Sequence, residues 1–187
     1  FDMRRLTAEE IRDSILNLTG QLNLKMAGPS IYTEIPADVA KTASRPGAAW
    51  GRSSKEDAAR RSVYIFVKRS LREPFLAAFD WADTDNTCDV RFVTTVPTQT
   101  LTMMNSKFLN DSAEALALRL QEEQPNDPRA QVARSLALAT SRPATKEDIA
   151  DGLKLIQHFR KKGINEPQAL QRFCLLVLNL NEFVYLD

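Results

Sequence analysis

VTTVPTQTLTMMNSKFLND, residues 93–111, is the stretch from which the fold is read. Two threonines lead into Pro97, and proline suits a first helical turn, where its missing N–H would have had no intrahelical partner anyway. Thr94, Thr95 and Gln99 carry oxygens that can meet the orphan N–H groups of that helix start. Leu101, Met104 and Phe108 then recur at helical spacing. Asn105 and Ser106 mark a bend, and a second helix runs on through Leu116 and Leu120. The pattern is helix, break, helix.

The same signals extend in both directions. Upstream, Thr7 and Glu10 form a capping box, with Leu6 and Ile11 placed as its hydrophobic staple. Ile11, Ile15 and Leu18 make one stripe, and Gly20 is a natural stop. Residues 41–52 are polar, with Pro46, Gly47 and Gly51, and read as a surface loop. Ser53 and Glu56 suit the cap of the next segment. SVYIFVK, residues 62–68, reads either way. Its β-branched and aromatic content suits a strand, while Val63, Phe66, Val67 and Leu71 fit a helical stripe continuing from DAARR without a turn signal. The helix is the preferred reading. CDVRFVTT, residues 88–95, is the other strand candidate, so a short two-stranded pairing stays open.

Downstream, Asp127 and Pro128 open a helix striped by Val132, Leu136 and Ala139. Thr145 with Asp148 is a second capping box, before Ile149, Leu153 and Ile156. Lys161, Lys162 and Gly163 close that helix with cations and a glycine. From about Pro167 to Asn181 the last helix is apolar on nearly every side, which predicts a path through the middle of the protein. The expected fold is all-α: one helical domain over residues 1–187, a compact bundle with long irregular loops and at most one minor β-hairpin.

Composition bounds the function. Hydrophobic residues at 43% and charged ones at 26% are ordinary globular values. With 25 basic against 24 acidic residues, the net charge of +1 leaves no electrostatic footprint for nucleic acid. No apolar run approaches the roughly 18–20 residues a membrane span needs. The chain opens on Phe1 rather than methionine, which reads as a piece of a longer polypeptide. Cys88 and Cys174 form no metal or redox motif, and sequence leaves their pairing open. Cys174 shares a helical face with Leu170 and Val177, as a packed small hydrophobe would.

Three groups of residues invite chemistry. The loop DWADTDNTCD, residues 80–89, sets Asp83, Asp85 and Asp89 as oxygen donors for calcium, although the glycine of an EF-hand loop is missing and Thr94 stands where its glutamate should be. The same carboxylates, with Asp80, would serve a carbohydrate hydrolase if burial split their proton affinities. A solvated loop of turn-forming residues is the simpler reading. Arg91, Thr94, Thr95, Gln99 and Asn105 form the second group. Converging, they would bind a carboxylate, sugar hydroxyls or a neighbouring domain; the alternative is a polar network that fixes a helix entry. Cys88 beside Arg91 is the third, an activated thiol or a packed anchor. His158, the only histidine, falls on the face of Lys154 and Lys162 and should be exposed, which leaves no histidine-rich metal or haem site within the chain. Asn179 and Glu182 read as end-capping or network residues, and Arg142 with Pro143 as a helix terminator.

CDVRFVTTVPTQTLTMMN, residues 88–105, also resembles the signature of the C-terminal domain of unknown function found in large planctomycete proteins that carry cytochrome-c-like domains. RRLTAEEIRDSIL, the GPS of residues 28–30, RRSVYIFVKRSL, FLAAFDWADTD, ATSRPAT and LNLNEFVYLD follow in the order that family has. The chain departs from the family between Tyr32 and Arg60, and with NSKF where NDPF is expected. The resemblance implies an exported multidomain protein whose haem belongs to upstream domains, with no cofactor in this chain. It brings no activity. The expected role is a non-catalytic module docking to other domains of the same polypeptide, its small-molecule ligand, if any, unidentified. A carbohydrate hydrolase using the acids of residues 80–89 is the alternative, and a calcium-stabilised binding module the third reading.

Overall fold

The computed structural model describes residues 3–41, 50–69, 71–84, 87 and 89–186. In chain order the helices are α1 (Ala8–Leu18), α2 (Ala37–Lys41), α3 (Lys55–Ala58), α4 (Pro74–Ala78), α5 (Pro97–Asn105), α6 (Lys107–Glu123), α7 (Pro128–Thr140), α8 (Lys146–Lys161), α9 (Glu166–Val177) and α10 (Asn181–Val184). β1 (Arg4–Arg5) pairs antiparallel with β2 (Tyr185–Leu186), Arg4 opposite Leu186. The protein is mostly helical, as its sequence predicts, and this small sheet is the one strand pairing among the described residues beyond two isolated bridges.

The chain divides into two compact units. The C-terminal unit comprises Phe1–Arg5, Leu18–Gly20 and Thr100–Asp187, the N-terminal unit Leu6–Asn17 and Gln21–Gln99. The C-terminal unit is a bundle. α9 packs on α6, α7 and α8, burying Leu170, Phe173, Cys174 and Val177 against a face of α6 that carries Leu109, Ala113, Leu116 and Leu120. The apolar last helix is therefore central to its unit. Cys174 is a free thiol there, and burial pushes its pKa well up, so it serves as a packed hydrophobe. α9 stops at Val177, short of Asn181, because the Asn179 side chain donates to the Leu175 carbonyl at 2.7 Å and the following turns tighten. The capping box of α8 forms as expected between Thr145 and Asp148.

The N-terminal unit buries Ile11 and Ile15 of α1, Leu76 of α4, and Ile31, Ile65 and Phe79 outside the helices, while Val39 of α2 packs with Ile35 and Trp50 on Leu71. Thr7 and Glu10 exchange the two hydrogen bonds of their capping box, at 2.7 and 3.3 Å. The cap of α3 is Ser54 rather than Ser53, because the Ser53 hydroxyl accepts the Tyr32 N–H. The preferred helix at residues 62–68 is absent. Ser62–Tyr64 is a single 3-10 turn, and Ile65 then bridges Ile31 in extended conformation. The cause lies in buried polar groups. Arg12 donates to the carbonyls of Ala58 and Arg60, and Ser62 donates its N–H and hydroxyl to Asp13 at 2.8 and 2.7 Å. Carbonyls that would have propagated the helix are taken by a side chain instead. Residues 91–96, part of the other strand candidate, form neither helix nor strand. In α5 the inward positions are Gln99 and Met103, four apart, while Leu101 and Met104 face solvent, so the apolar stripe expected at Leu101 and Met104 is out of phase.

Candidate functional site

Asp80 follows α4 with φ +62, a left-handed conformation that aspartate tolerates better than most residues. This turn aims its carboxylate at the motif read from sequence. Thr94 donates both its N–H (2.9 Å) and its hydroxyl (2.8 Å) to Asp80. The buried amide of Gln99 donates to Asp80 and to the Thr94 hydroxyl, at 3.4 and 3.3 Å, while its oxygen accepts the Val96 N–H at 3.4 Å. The start of α5 is thus tied down by a side chain three residues into it, as in a capping box. Arg91 sends one terminal nitrogen to both oxygens of Glu9, in the first turn of α1, at 2.8 and 2.7 Å.

Thr94 and Gln99 therefore meet, with Asp80 as their hub, and Arg91 is held apart on Glu9. Thr95 is exposed. Asn105 ends α5 within the C-terminal unit. Neither Asp80 as hub nor Glu9 as anchor is evident from sequence: Asp80 looks like one more acid of its loop, and Glu9 lies 82 residues from Arg91. The only sequence signal for Asp80 was its residue type, suited to a positive φ.

The remaining acids are also placed. Asp83 receives Arg72 at 2.6 Å, and Asp89 is exposed. Asp85 and Cys88 lie outside the described residues, as does most of the loop of residues 41–52. Among the described residues no three His, Cys, Asp or Glu side chains gather as a metal site would require. His158 is exposed, as its helical face predicts.

Two recesses open in the C-terminal unit. One, of about 360 Å³, is lined by Leu136, Thr140, Leu180 and the charged trio Arg142, Asp148 and Glu182. Arg142 reaches Glu182 at 3.1 Å and Asp148 at 3.3 Å; these partners, Glu182 first, raise its pKa. The amide and hydroxyl of Thr145, then Arg142, lower that of Asp148. Neither effect makes a general acid. The other recess, of about 450 Å³, has prolines 125, 128 and 167 with Ile156 and Leu170 as its walls.

What the polar pins hold outward is apolar. Val90, Phe92 and Val93 are 78%, 83% and 62% exposed, on a segment with Arg91 fixed to Glu9 and Thr94 to Asp80. Residues 1–156 match the family described as PSD1, protein of unknown function (DUF1553). The chain belongs to that family. The PSD1 match includes the whole Asp80–Thr94–Gln99 cluster and ends within α8, before the central helix α9. No curated protein and no solved structure matches the chain.

Proposed function

We propose that this PSD1 chain is a non-catalytic docking module, and that residues 90–96 are the surface it offers to other domains of a multidomain exported protein. The observation that carries the reading is the pinned apolar segment. Exposed Val90, Phe92 and Val93, three apolar side chains within four residues, are a liability for a free-standing domain. Here Phe92 and Val93 lie between two charge-assisted anchors, Arg91 on Glu9 and Thr94 on Asp80, and Val90 adjoins the first. A surface fixed before contact loses little entropy on contact, which favours association. The cytochrome-c-like domains that the family resemblance implies, with their haem, are the proposed partners.

The docking reading is preferred to a carbohydrate hydrolase because Asp80 and Asp83 direct their oxygens to Thr94, Gln99 and Arg72. Carboxylates already engaged by protein donors are not open to a glycosidic oxygen, as the acid of glycoside cleavage must be. The test is association between this chain and the separately expressed upstream part of its parent, followed by calorimetry. Phe92→Ser with Val93→Ser should weaken it about tenfold or more. Equal affinity in the variant sinks the reading. Release of reducing sugar from a polysaccharide, lost in a folded Asp80→Asn variant, would install the hydrolase in its place.

A further inference from the structure

One buried side chain holds the loop of residues 23–30 from within the N-terminal unit. Arg60, 2% exposed, donates from Nε to the Lys25 carbonyl at 3.2 Å, from Nη1 to that of Pro29 at 3.1 Å, and from Nη2 to that of Ala27. Its guanidinium stacks 3.9 Å from the centroid of the Tyr64 ring, whose hydroxyl accepts the Ala27 N–H at 2.9 Å. Asn23 closes the frame, accepting the Lys25 N–H and donating to the Glu56 carbonyl. Ala27 has φ +60, a left-handed conformation that a residue with a Cβ keeps only where its surroundings over-determine it. Burying a guanidinium is costly, and here its donors go to three carbonyls of one loop, which fixes the backbone carrying residues 24–26.

The frame presents three side chains outward. Leu24 is 69% exposed and Met26 78%, with the exposed Lys25 between them. The Lys25 ammonium has no ion pair among the described residues. We propose that Leu24, Lys25 and Met26 are a preorganised docking knob for a partner protein that offers an apolar recess edged by a carboxylate. The two apolar side chains fill the recess, Met26 adapting to its shape, and the carboxylate supplies the counter-charge to the Lys25 ammonium. A recess without an acid would desolvate the ammonium uncompensated. A lipid surface is the poorer fit, since anionic membranes hold proteins through several cations of about 1 kcal/mol each and the knob has one. The inference stands apart from the docking of residues 90–96, because different side chains carry it.

The test is zero-length coupling in the cells that make the full-length protein. A water-soluble carbodiimide joins an amine to a carboxylate in contact with it, and mass spectrometry identifies the peptides joined to Lys25. The expected product is an amide between Lys25 and an Asp or Glu of another polypeptide, flanked by apolar residues. Leu24→Ser with Met26→Ser should cut its yield about tenfold without moving the melting temperature, while coupling at Lys154, an exposed lysine already paired with Asp151, stays constant. No Lys25 product, a product only with another copy of this chain, or a yield indifferent to the serine variant would overturn the proposal. So would co-sedimentation with phosphatidylglycerol vesicles that the same variant abolishes.

Discussion

Glu73 caps α4 from a buried position, its carboxylate accepting the Leu76 N–H at 2.6 Å. Burial raises its pKa, and the Leu76 N–H and the nearby Arg12 offset only part of that rise. A folded chain that holds this proton more tightly than the unfolded one is favoured by it at low pH. The contribution is full below the unfolded value, about 4.3, and is lost as pH rises through the folded one. Glu73→Gln keeps an oxygen for the cap and removes the titration. Its stability relative to the native chain should therefore improve as pH is raised from about 4 to about 7. Urea unfolding at a series of pH values checks this, and parallel profiles for the two proteins would refute it. Asp148 works in the opposite sense: its lowered pKa contributes stability above the unfolded value, lost as pH falls.

At the scale of elements, close approach depends on one missing side chain. A Cβ on Gly152 of α8 would stand 2.6 Å from Cγ1 of Val132 on α7 and 3.1 Å from the Phe173 ring on α9. Val132 is fully buried and cannot swing away. Alanine gains about 1 kcal/mol of helix propensity over glycine, but overpacking a filled core costs about 1–3 kcal/mol. The second effect wins. Gly152→Ala should destabilise the protein by about 1 kcal/mol, and Val132→Ala should relieve part of that loss in a double-mutant cycle. Additive losses would show that the three helices adjust without conflict.

For the whole molecule, the proposed docking surface and the buried cores that set stability use different residues. Phe92 and Val93 are exposed, so their replacement by serine should leave the melting temperature within about 1–2 °C, since surface substitutions fall within about 0.5 kcal/mol. A large fall in melting temperature would mean that the segment is part of a core, and the docking role would lose its basis. The N-terminal unit differs from the bundle in what holds it. Arg12, Arg60, Ser62 and Glu73 are buried there beside Ile11, Ile15 and Leu76, so its loops are fixed by side-chain-to-backbone hydrogen bonds more than by helix packing.

Helix starts and the bundle were legible in the sequence because their causes are local. Thr7 with Glu10, Thr145 with Asp148, Ser106 at the restart and the stripes of α7 and α9 each act within one turn or one face. Residues 62–68 were not legible, since Arg12 and Asp13, about fifty residues away, decide whether their backbone continues a helix. Nor could the phase of α5 be read, because Asp80 draws Gln99 inward and turns Leu101 out. The amino-acid order alone thus determined a helical chain with its caps and its apolar central helix. The tertiary structure decided which polar side chains meet, and so which apolar ones are left facing water: those pairings are made across long stretches of chain, where no periodicity reaches.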